Sequence, residues 1–229
     1  IAEINYNIAV IYEQYLKDNK FAEKYYLDAV KLIPNSKRYE KAIGSFYFNI
    51  GNYSNAKDYL MRQPSSPDEF YMLAYSYYKE GDFNRAQTLF EKILRESQDP
   101  ILLNAANKTL GSMNYFIYRS NKDKKYIDSA VKYFNTAIKF NDKDDISYYN
   151  CGLCYFITND FNKAMNYFKS AIEINPRISI YYSALGNCYY EKNLYDLAEN
   201  YYRKAIELDG SNIEAHYNLS KIRDMRAAN

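Results

Sequence analysis

The sequence predicts an all-α protein, an α-solenoid of antiparallel helix pairs ending in a C-terminal capping helix, and three observations lead there. The first is a self-match. Tyr148–Pro176 (YYNCGLCYFITNDFNKAMNYFKSAIEINP) lies over Tyr182–Gly210 (YSALGNCYYEKNLYDLAENYYRKAIELDG) at an offset of 34 residues. Gly152 then meets Gly186, Cys154 meets Cys188, Tyr155 meets Tyr189, Ala164 meets Ala198, Phe168 meets Tyr202 and Ala171 meets Ala205. Periods of roughly 20–50 residues mark stacked supersecondary units. The second observation is the order of sizes. Small residues such as Gly152 and Ala164 let two helices approach closely, and large ones such as Tyr155 and Phe168 fill the holes that remain. The third is that 229 residues contain only 7 Gly and 5 Pro, too few for a loop-rich β fold or a Gly-rich phosphate cradle.

This pattern resembles the tetratricopeptide repeat, a helix–turn–helix unit with fixed small and aromatic positions. The resemblance covers nearly the whole chain and implies a right-handed superhelix of about thirteen helices. Taken in order, a first repeat near residues 3–35 shows Ala22, Tyr26, Ala29 and Pro34, with a first helix about one residue too long. The second, 36–66, shows Ile43, Gly44, Tyr47, Gly51, Tyr53, Ala56 and Leu60, its second helix cut short by Gln63-Pro64-Ser65-Ser66-Pro67. The third, 67–99, carries Leu73, Ala74, Tyr77, Gly81, Phe83, Ala86 and Phe90. In the fourth, 100–143, Ala130, Phe134 and Ala137 fall seven residues late relative to Leu110-Gly111. That excess is about two helical turns, one for each helix, with Arg119–Lys125 as an extended turn. The fifth and sixth span 144–178 and 179–212, and a capping helix covers 213–228. Its exposed face is supplied by Glu214, Lys221, Arg223, Asp224 and Arg226, as a terminal repeat requires. The whole, 1–229, is expected to form a single solenoid.

Composition narrows the function. Thirty Lys+Arg against 28 Asp+Glu leave a formal charge of +2, without the clustered basicity that nucleic-acid binding needs. Helical repeats that read RNA would demand a basic groove. No apolar run approaches a membrane span of roughly 18 residues. The 29 Tyr are matched by abundant Asn, Lys and Ile, a bias that an AT-rich genome produces by itself. The chain opens at Ile1 inside a helical pattern, as expected of a trimmed or processed segment. Localisation stays open: cytoplasmic, or periplasmic or envelope-associated if a signal or lipid anchor precedes Ile1.

Candidate chemistry is thin, so no catalytic residue, metal site or cofactor is expected. Cys151-Gly-Leu-Cys154 has dithiol spacing but falls mid-helix, and Cys188 repeats Cys154 one unit later, as a small packing residue would. A structural zinc site wants four ligands, and the only His, His216, stands where Tyr148 and Tyr182 stand, in a packing place. Asp144-Asp145 precede a helix and read as its N-terminal cap. Lys122-Asp-Lys-Lys125 reads as a solvated loop. The glycosylation triplets at Asn52, Asn107 and Asn218 are what chance gives in so Asn-rich a chain, and two lie within expected helices.

The resemblance implies that one face of each first helix lines a concave channel. Those positions here are Tyr71, Tyr75, Tyr78 and Lys79 in the third repeat, and Lys108, Ser112, Tyr115 and Phe116 in the fourth. They continue as Tyr149, Leu153, Phe156 and Ile157 in the fifth, and Ser183, Asn187, Tyr190 and Glu191 in the sixth. Aromatics are abundant where family packing requires none, as at an interaction site. The family's carboxylate clamp, which grips a peptide C-terminus with Lys, Asn and Arg in three successive repeats, is absent. Lys41 matches it, but Ser45, Met72, Ala105 and Thr109 do not. The expected role is a non-enzymatic adaptor binding an apolar or amphipathic protein or peptide segment through aromatic anchors and phenol hydrogen bonds, centred on Tyr75, Tyr78, Tyr115, Tyr149 and Phe156. Truncating groove aromatics should weaken binding and spare stability, whereas truncating Tyr155 or Phe168 should do the opposite. Alternatives are an anchored envelope-assembly or secretion accessory protein, or the regulatory half of a larger enzyme. A surface of this kind also permits self-association.

Overall fold

The computed structural model describes residues 1–227, so Ala228, to which the capping helix was expected to reach, lies outside the described residues. The chain divides into two compact units, Ile1–Ala106 and Asn107–Asn229. The first contains α1 (Ala2–Ile11) with a π-helical continuation at Tyr12–Leu16, then α2 (Asn19–Leu32), α3 (Lys37–Asn49), α4 (Tyr53–Leu60), α5 (Pro67–Lys79) and α6 (Phe83–Glu96). α7 (Pro100–Asn121) runs across the boundary. The second unit continues with α8 (Lys124–Phe140), α9 (Asp145–Ile157), α10 (Phe161–Ile174), α11 (Ser179–Glu191), α12 (Tyr195–Leu208) and α13 (Ile213–Ala227). No strand occurs among the described residues. Within each unit helices pack on their sequence neighbours, and first helices also pack on one another, α3 on α5 and α9 on α11.

One device makes the turn inside the repeats. A residue in the left-handed region is followed by the N-cap of the next helix: Lys17-Asp18, Gly51-Asn52, Gly81-Asp82, Lys122-Asp123 and Asn159-Asp160. Gly and Asn tolerate positive φ most readily. The capping carboxylate or amide accepts a backbone N–H that the new helix leaves unpaired. Asn193 keeps the same left-handed turn, but Leu194 after it offers no capping side chain. In the second, third, fifth and sixth repeats the N–H of the N-cap residue closes the turn onto a carbonyl five residues back, as in Asp82 N–H to Tyr77 O at 2.9 Å and Asp160 N–H to Tyr155 O at 2.9 Å, whereas in the fourth the Asp123 N–H donates to Asn121 Oδ1 at 2.9 Å. In the first repeat the bond runs from Asp18 to Tyr12, one residue further. The π turn is how the extra residue of that helix is absorbed.

The fourth repeat corrects the expected extended turn. α7 has 22 residues against 13 in α9, and α8 has 17 against 14 in α10, so the excess falls mainly on α7. Arg119 is helical and only Lys122-Asp123 connect the helices, with Lys124 and Lys125 already in α8. The shortened second helix of the second repeat is observed: α4 has 8 residues.

Packing within a pair rests on a ring laid over a small residue. A Cβ built on Gly152 would stand 2.4 Å from Phe168, one on Gly111 2.7 Å from Phe134, and one on Gly186 2.7 Å from Tyr202. Phe168 and Tyr202 have no exposed surface, and neither have Ala22, Ala56, Ala86, Ala130, Ala164 and Ala198. Tyr has a structural place as well. Tyr47–Tyr59, Tyr155–Tyr167 and Tyr189–Tyr201 are stacked pairs, each twelve residues apart, with centroids 5.9, 5.4 and 5.2 Å apart. Tyr155 is only half-buried in its stack, less enclosed than its expected core role requires. His216 departs from its expected packing place: it is exposed, and its Nε2 lies 3.0 Å from the Gly210 carbonyl, pinning the turn before α13.

Candidate functional site

In the second unit α7, α9, α11 and α13 enclose a groove of about 520 Å³. Tyr115, Tyr149, Leu153, Phe156, Ile157 and Asn187, all expected at the concave face, line it together with Phe161, Phe168 and Ala184. The spacing of the α9 residues places them on one side of that helix, because four residues make about one turn. Tyr149 leans on Phe168 and Tyr181, at 5.6 and 5.0 Å between centroids, and Phe156 on Phe161 at 5.5 Å. Burial pushes the Tyr149 phenol up to about 12, with the Glu214 carboxylate adding to it. Burial raises Tyr115 too, against the pull of Arg119. Both phenols therefore stay protonated at neutral pH and can donate.

The groove carries charge, of which sequence reasoning placed only Glu191 at the concave face. Arg119 lines it from α7, and Glu191 and Glu214 line it from α11 and α13. Glu214 was expected on the polar outer face of the cap. Arg226 of that same face instead reaches back to Asp196 and, at 2.5 Å, to Glu199 on α12. Asn187 holds Glu214 in place by donating from Nδ2 at 2.8 Å. Its Oδ1 accepts from the Tyr202 hydroxyl at 2.8 Å and from Asn218 at 2.9 Å, so the orientation of the amide is fixed. Asn187 thus spends its amide on the protein.

Other expected residues sit outside this groove. Lys108 pairs with the buried Asp144 carboxylate at 3.2 Å, and Asp144 in turn caps α9 through Ser147. Asp145 accepts from Asn175 and the Tyr181 hydroxyl, each at 3.0 Å, joining α9 to the next repeat. Tyr190 packs on Tyr195 and under the Lys221 ammonium, and its hydroxyl donates to the Met225 sulfur at 3.7 Å. Phe116 is 54% exposed.

Tyr71, Tyr75, Tyr78 and Lys79 belong to α5 in the first unit. Tyr75 is the hub of an aromatic cluster, with Tyr71, Tyr78, Phe48 and Tyr53 within 6.0 Å between centroids. The Lys79 ammonium lies 5.7 Å from the Tyr53 ring centre and 6.0 Å from that of Tyr75.

Cys151, Cys154 and Cys188 are buried free thiols. Burial pushes Cys151 and Cys188 up to about 12 and Cys154 higher still, far from the thiolate that redox or nucleophilic chemistry uses. No group of three His, Cys, Asp or Glu among the described residues is placed to hold a metal ion. Among the same residues no helix is long and apolar enough to cross a membrane.

Models of the tetratricopeptide repeat match residues 2–36, 38–63, 70–99, 146–178 and 179–212. None of the curated proteins matches the chain. Among solved structures, a chain of the APC/C hetero-tetramer Cut9–Hcn1 superposes with a TM-score of 0.68 at 16% identity, over 96% of this chain and 42% of that one. This chain therefore spans less than half the length of that neighbour. YrrB, a repeat protein with an unusual peptide-binding site, gives a TM-score of 0.62 at 17% identity, over 84% of this chain and 96% of that one. TTC0263, a thermophilic repeat protein of Thermus thermophilus, gives 0.60 at 21% identity, over 82% and 98%. Identities this low show the shared fold.

Proposed function

The chain belongs to the tetratricopeptide repeat family, and on that premise we propose that it is a non-enzymatic adaptor that holds a peptide or protein segment in the groove of its second unit. The family fold is one of protein–protein interaction scaffolds. The single observation that carries the finer reading is a concave groove of about 520 Å³ floored by Tyr115, Tyr149, Leu153 and Phe156. A groove of that size and lining suits side-chain anchors rather than a flat contact. The phenols give it polar selectivity that an aliphatic floor lacks. YrrB, of the same fold, has a peptide-binding site, and the Cut9–Hcn1 assembly shows the fold within a complex. The apolar character of the segment and the contribution of α5 with Tyr71, Tyr75, Tyr78 and Lys79 belong to the same proposal.

The test is selection of binders from a random short-peptide library on the folded protein, followed by affinity measurements on variants. Phe156→Ala and Tyr149→Ala should weaken the selected peptides by about 2 kcal/mol each, Phe156→Ala with little change in melting and Tyr149→Ala with some loss of stability, since Tyr149 also backs Phe168. Phe134→Ala, beneath Gly111 and 1% exposed, should cost about 3–5 kcal/mol of stability instead. Binders indifferent to both groove substitutions would sink the proposal.

A further inference from the structure

The groove has an uneven distribution of charge. Glu191 and Glu214 stand on the α11 and α13 wall, Arg119 on the α7 wall, and the aromatic floor lies between. Among the described residues neither carboxylate forms an ion pair, and neither does Arg119. Several other acids of the second unit are engaged: Asp144 with Lys108, Asp160 with Lys163, Glu199 with Arg203 and Arg226. Glu214 is moreover pre-positioned, because Asn187 can offer it only Nδ2 once Tyr202 and Asn218 occupy Oδ1.

From this we infer that the occupant of the groove carries a Lys or Arg beside its apolar anchor, the cation lodged against Glu191 and Glu214 and the anchor on Tyr149 and Phe156. The inference rests on the groove reading above and adds the ligand's charge and direction to it. An apolar segment laid over these carboxylates would strip them of water and return nothing, and an acidic one would add repulsion. A cation recovers that cost, and a carboxylate already held in place loses less freedom on pairing. Arg119 on the opposite wall repels the same cation, so the segment has one favoured orientation.

The peptides selected on the wild-type protein test this directly. Lys and Arg should be enriched next to the apolar anchor and Asp and Glu depleted. Affinity should fall as salt rises, since the pair is partly exposed. The double variant E191Q/E214Q should bind the selected peptides roughly five- to tenfold more weakly, and replacing the peptide's basic residue by Gln should cost the same once, not twice. Gln at 214 can still accept from Asn187, and a melting curve matching wild type would confirm that the variant folds. Binders that need Phe156 but show no basic enrichment, or that bind E191Q/E214Q unchanged, overturn this inference and leave the groove reading standing. Failure to select any binder, or binders insensitive to Phe156→Ala and Tyr149→Ala, would remove both.

Discussion

Substituting Gly152 by Ala tests whether the ring-over-glycine contact holds each helix pair. The added methyl would lie 2.4 Å from Phe168 Cε1, 2.5 Å from Cδ1 and 3.0 Å from Cζ. Carbon atoms rest about 3.5–4.0 Å apart, so the ring must retreat by roughly 1 Å or more. Phe168 has no exposed surface and is backed by Tyr149 at 5.6 Å, which leaves it little room to do so. Overpacking of this kind costs about 1–3 kcal/mol. Against it stands the gain from replacing a mid-helix Gly, about 1 kcal/mol in helix propensity. Because the contact involves several ring atoms and not one flexible tip, the clash should win, for a net loss of about 1–2 kcal/mol. In a chain of this length that is a fall in melting temperature of about 2–8 °C, read by circular dichroism. Binding to a selected peptide should weaken in parallel, since Phe168 displaced toward Tyr149 alters the groove floor. A Gly152→Ala protein that melts higher than wild type would show that the ring yields freely, and that helix propensity outweighs close approach at this position.

Two further outcomes follow from caps and buried charge. Asp160→Ala removes the side chain that accepts the Lys163 N–H at the start of α10 and should cost about 1 kcal/mol in urea unfolding, with Asp160→Asn recovering most of it. Glu69, 3% exposed, has its carboxyl held below the ordinary 4.5: burial alone would raise it, but Lys41 at 2.7 Å, the Ser65 N–H at 2.9 Å and the Ser66 hydroxyl outweigh burial. A depressed folded-state value means stability that is present above about pH 4.5 and drains away as pH falls through that lower value. Melting temperature should therefore drop on acidification below 4.5 in wild type and less steeply in Glu69→Gln; equal slopes would refute the assignment.

What the sequence revealed and what it hid have different physical origins. Fold and register were legible because they are written in residue size at fixed spacing. Gly152 and Phe168, or Gly186 and Tyr202, can sit at their mutual distance in only one helix pairing. The cysteines were legible for the same reason, as small residues at a packing position. Glu191 was legible from helical phase, but Arg119 and Glu214 were hidden, because their place depends on where helices end. Arg119 looked like part of a polar turn, yet α7 runs on to Asn121 and carries it onto the groove wall. A count of helical phase from Tyr115, four residues earlier and on the same face, was the available signal. Glu214 was hidden by a different rule: a terminal helix is expected to be polar outside, and nothing in that rule says which of its acids turns inward. Asn187 decides it, through an amide whose other end is claimed by Tyr202 and Asn218. Such three-way commitments join residues from α11, α12 and α13, so no window of sequence short enough to show helical periodicity contains them. The lining of a repeat groove can thus be read from period alone, whereas its electrostatic polarity comes from helix ends and side-chain networks, the features in which one repeat differs from the next.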